Sequence, residues 1–144
     1  MLDVLLSFTV AEKIMAVPKR CWGNALFALR TQKELRGASY VEGWAVFVKP
    51  LIIEHGWVEL PDGRIVDPSY PLFADRLPAS AQPAYFAGVR YARDDLKYIK
   101  LASLPCVWTS DGWGGFKRPE YKKAYKEASE YAKLGDLVRL DTAP

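Results

Sequence analysis

Cys21, His55 and Asp67 are the residues of this chain whose types could together make and break acyl bonds. A thiolate is a strong nucleophile, an imidazole moves protons near neutral pH, and a carboxylate bonded to that imidazole orients it and stabilises its charged form. His55 is the only histidine in the 144 residues. It lies in the apolar-rich run from Ile53 to Leu60, which is followed by Pro61-Asp62-Gly63 and a second short run ending at Asp67-Pro68. Asp-Gly between apolar runs predicts a hairpin, because glycine supplies the positive φ that a tight turn needs. Paired strands then hold His55 near one end and Asp67 on the neighbouring strand.

Cys21 precedes this hairpin and opens a helical pattern, Cys21 to Arg30, in which Ala25, Leu26, Ala28 and Leu29 form a buried stripe. Pro18 ends an earlier helix, because the residue before a proline avoids the helical region. A cysteine at a helix start sits among unbonded N–H groups and the positive end of the helix dipole, both of which favour the thiolate. Lys19 and Arg20 act in the same direction. Position alone also suits a small apolar core residue, the usual role of a lone cysteine. The downstream histidine and aspartate turn the reading toward a nucleophile.

The order Cys, His, Asp, with His55-Gly56-Trp57-Val58-Glu59 and Val66-Asp67-Pro68-Ser69, resembles the core of the transglutaminase-like superfamily, a branch of the papain-like cysteine enzymes. That pattern is a cysteine opening a helix, a histidine followed two residues on by an aromatic in a strand, and an aspartate-proline pair ending the next strand. The likeness covers residues 15 to 70. Lys19-Arg20 stand where the family often has a glycine before its cysteine. Residues 12 to 20 hold no glutamine of the kind papain-type enzymes use as a second oxyanion donor. The single histidine sets the chain apart from peptidoglycan hydrolases that complete their triad with a second one. The arginine-glycine-glycine approach of the longer arylamine acetyltransferases is absent.

The resemblance implies an α+β, papain-like fold over a single domain spanning 1–144, with the helix of Cys21 packed on an antiparallel sheet that carries His55 and Asp67. It implies acyl transfer through a thioester: Cys21 as nucleophile, His55 as base and then acid, Asp67 as the orienting group, and the Cys21 N–H as one oxyanion donor. Peptidase, deamidase and transglutaminase chemistries all fit, with a protein or peptide substrate and no cofactor. A catalytically inactive binding module of the same fold is the alternative, since one fold hosts many roles. A metal site is disfavoured, because the cysteines and histidine lack the paired spacings of zinc ligands. Trp22, Glu42, Trp44 and Trp57 are the candidates for a substrate groove. Glu42 and Trp44 suit equally well an exposed carboxylate and a core indole.

The remaining sequence sets the frame. Half the residues are hydrophobic and the net charge is +3, which suits a globular domain and not a dedicated nucleic-acid binder. The densest basic cluster, Lys117, Arg118, Lys122, Lys123 and Lys126, is diluted by Glu120, Glu127 and Glu130 and reads as a solvated helix face. Two cysteines do not make a disulfide framework, the first residues lack a basic signal-peptide start, and no stretch reaches the roughly 18 apolar residues of a membrane span. A cytoplasmic protein is therefore expected. Helices are expected over residues 2 to 16, with Thr9 and Glu12 as a capping box, over Arg93 to Leu101, and from Pro119 to a stop at Gly135. Strands are expected over Ser39 to Val48, with a bulge at Gly43, over Tyr85 to Tyr91, and as a small edge strand over Leu137 to Leu140. Residues 69 to 84 read as an ordered loop punctuated by prolines. Asp111 to Gly115 reads as a mobile glycine-rich loop.

Overall fold

A computed structural model describes residues 1–79, 81, 83–109 and 118–140. The chain is α+β. Its sheet has four antiparallel strands in the order β3-β2-β1-β4, formed by β1 Ser39–Val46, β2 Ile53–Glu59, β3 Ile65–Val66 and β4 Ala84–Ala92. The helices are α1 Val4–Ile14, α2 Cys21–Thr31, the single turn α3 Cys106–Thr109, and α4 Pro119–Leu140.

Alternation along β1 sorts the two faces of the sheet. Tyr40 meets the core that α2 brings, with Ala25, Leu26 and Leu29 against Tyr40 and Val58. Trp44 and Val46, on the same side of β1, meet the second core under α4, where Tyr121, Ala124, Ala128 and Ala132 form one helical stripe. The other face carries Gly43, paired with His55, and Ala45, paired with Tyr85. Small residues on the central strand leave room there for large aromatics on both neighbours. A Cβ on Gly43 would lie 2.3 Å from the Phe86 carbonyl oxygen and 2.9 Å from Trp57 Cη2. The bulge expected at this glycine is present as a register shift between Glu42 and Gly43 in the β1–β4 pairing.

Strand β3 pairs with β2 only at Val58 and Glu59. Toward His55 that side of β2 has no strand, and the first turn of α2 approaches it closely. A Cβ on Gly56 would stand 2.6 Å from Trp22 Cδ1 and 3.1 Å from Trp22 Cα. Glycine at 56 is thus the condition for Cys21 to approach the His55 strand.

Four local expectations give way. The cap of α1 is Asp3, whose carboxylate accepts from Leu6 N at 3.0 Å, and Thr9 lies inside the helix. The helix begins earlier because the N-terminal residues bridge to β3, with Asp3 N donating to Ile65 O, and turn directly from that bridge into α1. Residues 93–98 form successive turns in place of the expected helix. Arg30 supplies the reason: its guanidinium donates to the Leu96 carbonyl and, at 2.7 Å, to the Ile99 carbonyl. Gly135 does not stop α4, and Leu137 to Leu140 extend that helix and form no edge strand. An interior glycine costs a helix only about 1 kcal/mol, which the length of α4 absorbs. The loop expected over Asp111 to Gly115 lies outside the described residues. On α4, Lys123 and Lys126 lie 3.8 and 3.9 Å from Glu127 and Glu130 across one turn, as a solvated face requires.

Gly56→Ala forces Trp22 and the start of α2 to shift, and a loss of about 1–3 kcal/mol is expected in urea unfolding. Gly23→Ala, whose new Cβ meets nothing closer than 3.9 Å, is expected to be neutral or to stabilise by about 0.5–1 kcal/mol. Equal effects of the two would refute the close approach at Gly56.

Candidate active site

His55 and Asp67 form a buried pair. His55 is 3% exposed and Asp67 0%. Imidazole Nε2 and Asp67 Oδ2 are 2.8 Å apart. Taking Nε2 in this way leaves Nδ1 as the second ring nitrogen. The Cys21 thiol, at the N-terminus of α2, is close enough to the imidazole to favour its charged form. Cys21 itself is half-buried, so the sulfur side of the site is the one that meets solvent. No side chain caps the start of α2, where Arg20 is the N-cap.

The Asp67 carboxylate is held by more than the histidine. Tyr85 Oη donates to Oδ2 at 2.9 Å and Ser69 N donates to Oδ1 at 2.9 Å. The Asp67 N–H donates to Ser7 Oγ, and the Ser7 hydroxyl donates to Asp3 O, which anchors the strand end on α1. Ser69 continues the network: Asn24 Nδ2 donates to Ser69 Oγ at 2.9 Å. Asn24 lies on α2, three residues after Cys21. Its Oδ1 accepts from Val17 N at 3.0 Å and its Nδ2 donates to Val17 O at 2.8 Å. One amide therefore holds the loop before Cys21, the helix of Cys21 and the turn after Asp67 in one arrangement.

Aromatic rings seal the other side. Phe47 meets His55 edge-on at 5.3 Å and also contacts Phe73 and Tyr85. Trp57 stacks near the imidazole with ring centroids 6.4 Å apart, and its Nε1 is buried without a hydrogen-bond partner among the described residues. These rings exclude water and so strengthen the charge interaction. Burial on its own would push the His55 pKa down. The charge and hydrogen bond of Asp67, followed by the Cys21 thiol, outweigh it and push the pKa up to about 10. Burial, with Asp67 adding in the same direction, pushes the Tyr85 phenol well above its usual range, so it stays a donor.

The candidate groove residues divide. Trp22 lies over Gly56 beside Cys21 and is half-buried. Trp57 is 1% exposed and serves as packing under the imidazole. Glu42 and Trp44 are on the helix-covered face of the sheet, away from His55. Glu42 is neither exposed nor groove-lining: its carboxylate accepts from Tyr40 Oη at 2.7 Å, Cys106 N at 2.6 Å and Val107 N at 2.7 Å. Burial raises its pKa against those bonds. Trp44 packs on Tyr121 and Tyr125 of α4. Among the described residues no group of three His, Cys, Asp or Glu side chains is arranged to hold a metal ion. No described helix is long and apolar enough to cross a membrane. Neither cysteine is in a disulfide.

No protein-family model, curated protein or solved structure matches the chain.

Asn24, Ser69, Tyr85 and Ser7 are functional-site neighbours that the sequence reading did not single out. Ser69 had a signal, since Asp-Pro-Ser suits an Asx turn in which the carboxylate accepts from the N–H two residues on. Asn24 had a weaker one, a lone amide in the apolar stripe of α2. Tyr85 had none, because it reaches Asp67 from the far strand of the sheet.

A histidine whose pKa is raised by folding adds stability that is complete below its unfolded value of about 6.5 and is lost as pH rises through the folded one. Wild type should therefore lose several kcal/mol between neutral pH and about pH 10. Because His55 is the only histidine, its ¹⁵N imidazole signals report it alone. They are expected to stay those of the charged ring at pH 8 in wild type and to titrate much lower in Asp67→Asn. A wild-type midpoint near 6.5 would refute the pairing.

Proposed function

We propose that the protein is a cysteine-dependent acyl-transfer enzyme with a papain-like, transglutaminase-like core. The observation that carries this reading is the buried imidazole, with Asp67 2.8 Å from Nε2 and the Cys21 thiol near enough to favour its charged form. Thiol, base and orienting carboxylate come from α2, β2 and the end of β3, the contexts that the sequence resemblance implies.

In this mechanism the imidazolium carries the proton given up by Cys21, and the thiolate attacks the carbonyl carbon of an amide. A carbon–sulfur bond forms and the carbonyl electrons move to oxygen. The uncapped start of α2 stabilises that oxyanion, with the Cys21 N–H as donor. The imidazolium then gives its proton to the leaving nitrogen as the carbon–nitrogen bond breaks, which leaves a thioester. Water or an amine next gives a proton to the neutral imidazole and attacks the thioester. The thiolate leaves and the cycle closes. Attack by water is hydrolysis or deamidation; attack by an amine is transamidation. Asp67 keeps Nε2 engaged throughout.

The deep burial of His55 favours one alternative. In it the pair serves only to hold the sheet and the chain is a binding module without turnover. Reactivity of Cys21 separates the two readings. A thiol reacts as its thiolate, and the charged imidazole favours that form. Iodoacetamide is expected to alkylate Cys21 at pH 6 at least about tenfold faster in wild type than in His55→Ala, because an isolated thiol near pKa 8.5 is almost wholly protonated there. Cys106 is expected to stay unlabelled in the folded protein, since burial, reinforced by Glu42, pushes its pKa up to about 12. Alkylation of Cys21 that is slow and indifferent to His55 would establish the binding module instead.

A further inference from the structure

A groove of about 370 Å³ runs along the start of α2. Arg20 and Trp22, the residues on either side of Cys21, both line it. Its walls include Val17, Phe27 and Leu101, which are 48, 46 and 52% exposed. Three large apolar side chains left half in water around one groove are what a soluble domain shows where something docks. Lys19 and Arg20 contribute to the same groove. Both are exposed, and among the described residues no carboxylate pairs with either. The groove thus combines apolar surface with two unneutralised cations.

The backbone adds an independent observation. Lys19 has φ +61°, the left-handed region that costs a side-chain-bearing residue about 1–2 kcal/mol. The two hydrogen bonds of Asn24 to Val17 fix the loop that imposes this conformation. Strain held by surrounding bonds beside a candidate nucleophile points to a positioned side chain.

Resting on the reading of Cys21 as the nucleophile, we propose that this groove selects the substrate: a polypeptide segment with an apolar side chain next to an acidic residue, the apolar side chain entering between Val17, Phe27 and Leu101 and the acid meeting Lys19 and Arg20. The two parts are separable. The apolar contact acts through burial and is insensitive to salt. The charge contact lies at an exposed rim and weakens as ionic strength rises.

The test uses three peptide chloromethyl ketones that alkylate a cysteine nucleophile with loss of chloride: Asp-Leu-Gly, Lys-Leu-Gly and Asp-Ser-Gly, each acetylated. Modification of Cys21 is followed by intact mass in wild type, His55→Ala, Lys19→Gln/Arg20→Gln and Phe27→Ser/Leu101→Ser. Asp-Leu-Gly is expected to react about tenfold faster than either of the others, a difference equivalent to ~1.4 kcal/mol. The Lys19→Gln/Arg20→Gln variant should erase its advantage over Lys-Leu-Gly only. The Phe27→Ser/Leu101→Ser variant should erase its advantage over Asp-Ser-Gly only. Salt at 0.5 M, on the order of several Debye lengths across the rim, should mimic the first variant and not the second. Equal, His55-dependent rates for all three probes would overturn the groove while leaving the nucleophile in place. Slow rates that ignore His55 would overturn the nucleophile and the groove with it.

Discussion

The Asp67 carboxylate is the tie on which the rest of this arrangement depends. It is fully buried, and a buried carboxylate without partners is among the costliest groups a fold can contain. Its two oxygens accept from His55, Tyr85 and the Ser69 N–H, and its own N–H reaches Ser7. Those partners come from β2, β4, the turn after β3 and α1. Satisfying one carboxylate therefore fixes the relative positions of both sheet edges and the first helix. Removing a single partner of such a pair typically costs 3–5 kcal/mol, far more than the pair contributes over an apolar substitute. The network is thus better understood as specifying one arrangement than as adding stability.

Geometry at the sheet explains how a helix on one face serves an imidazole on the other. Antiparallel pairing sends His55 to the face opposite the α2 core. The meeting is possible because β3 is only two residues long and leaves the His55 end of β2 uncovered. Gly56 then allows Trp22, next to Cys21, to come against the strand. A longer β3 would close that side. A side chain at 56 would hold the helix away.

The sequence made the hairpin, the helix of Cys21 and the His55–Asp67 pairing legible, because each rests on local signals: a Pro-Asp-Gly turn, a proline stop before a helical stripe, and strand alternation. It did not make Asn24 or Tyr85 legible, because their partners lie 45 and 18 residues away and are chosen by packing. Glu42 was hard for the same reason. A carboxylate within a run of strand formers reads as solvent-facing, and two of its three donors, Cys106 and Val107, arrive from 64 and 65 residues on. The turns after Arg93 show the converse error. Their local pattern suits a helix, and the Leu96 and Ile99 carbonyls turn instead to a guanidinium from α2.

The two cysteines show how environment sorts chemistry among residues of one type. Cys106 sits beside Glu42, on the face that α2 and α4 cover. A neighbouring carboxylate opposes a second negative charge, and burial opposes any charge, so the thiol there is held neutral. Cys21 sits instead at an uncapped helix start, half open to solvent, beside an imidazole whose proton is secured by a carboxylate behind it. Both thiols lie near Tyr40, so distance alone does not distinguish them. What distinguishes them is the sign of the charge each one faces. The fold thus sets one thiol beside a carboxylate in the core and the other beside an imidazole at a helix start.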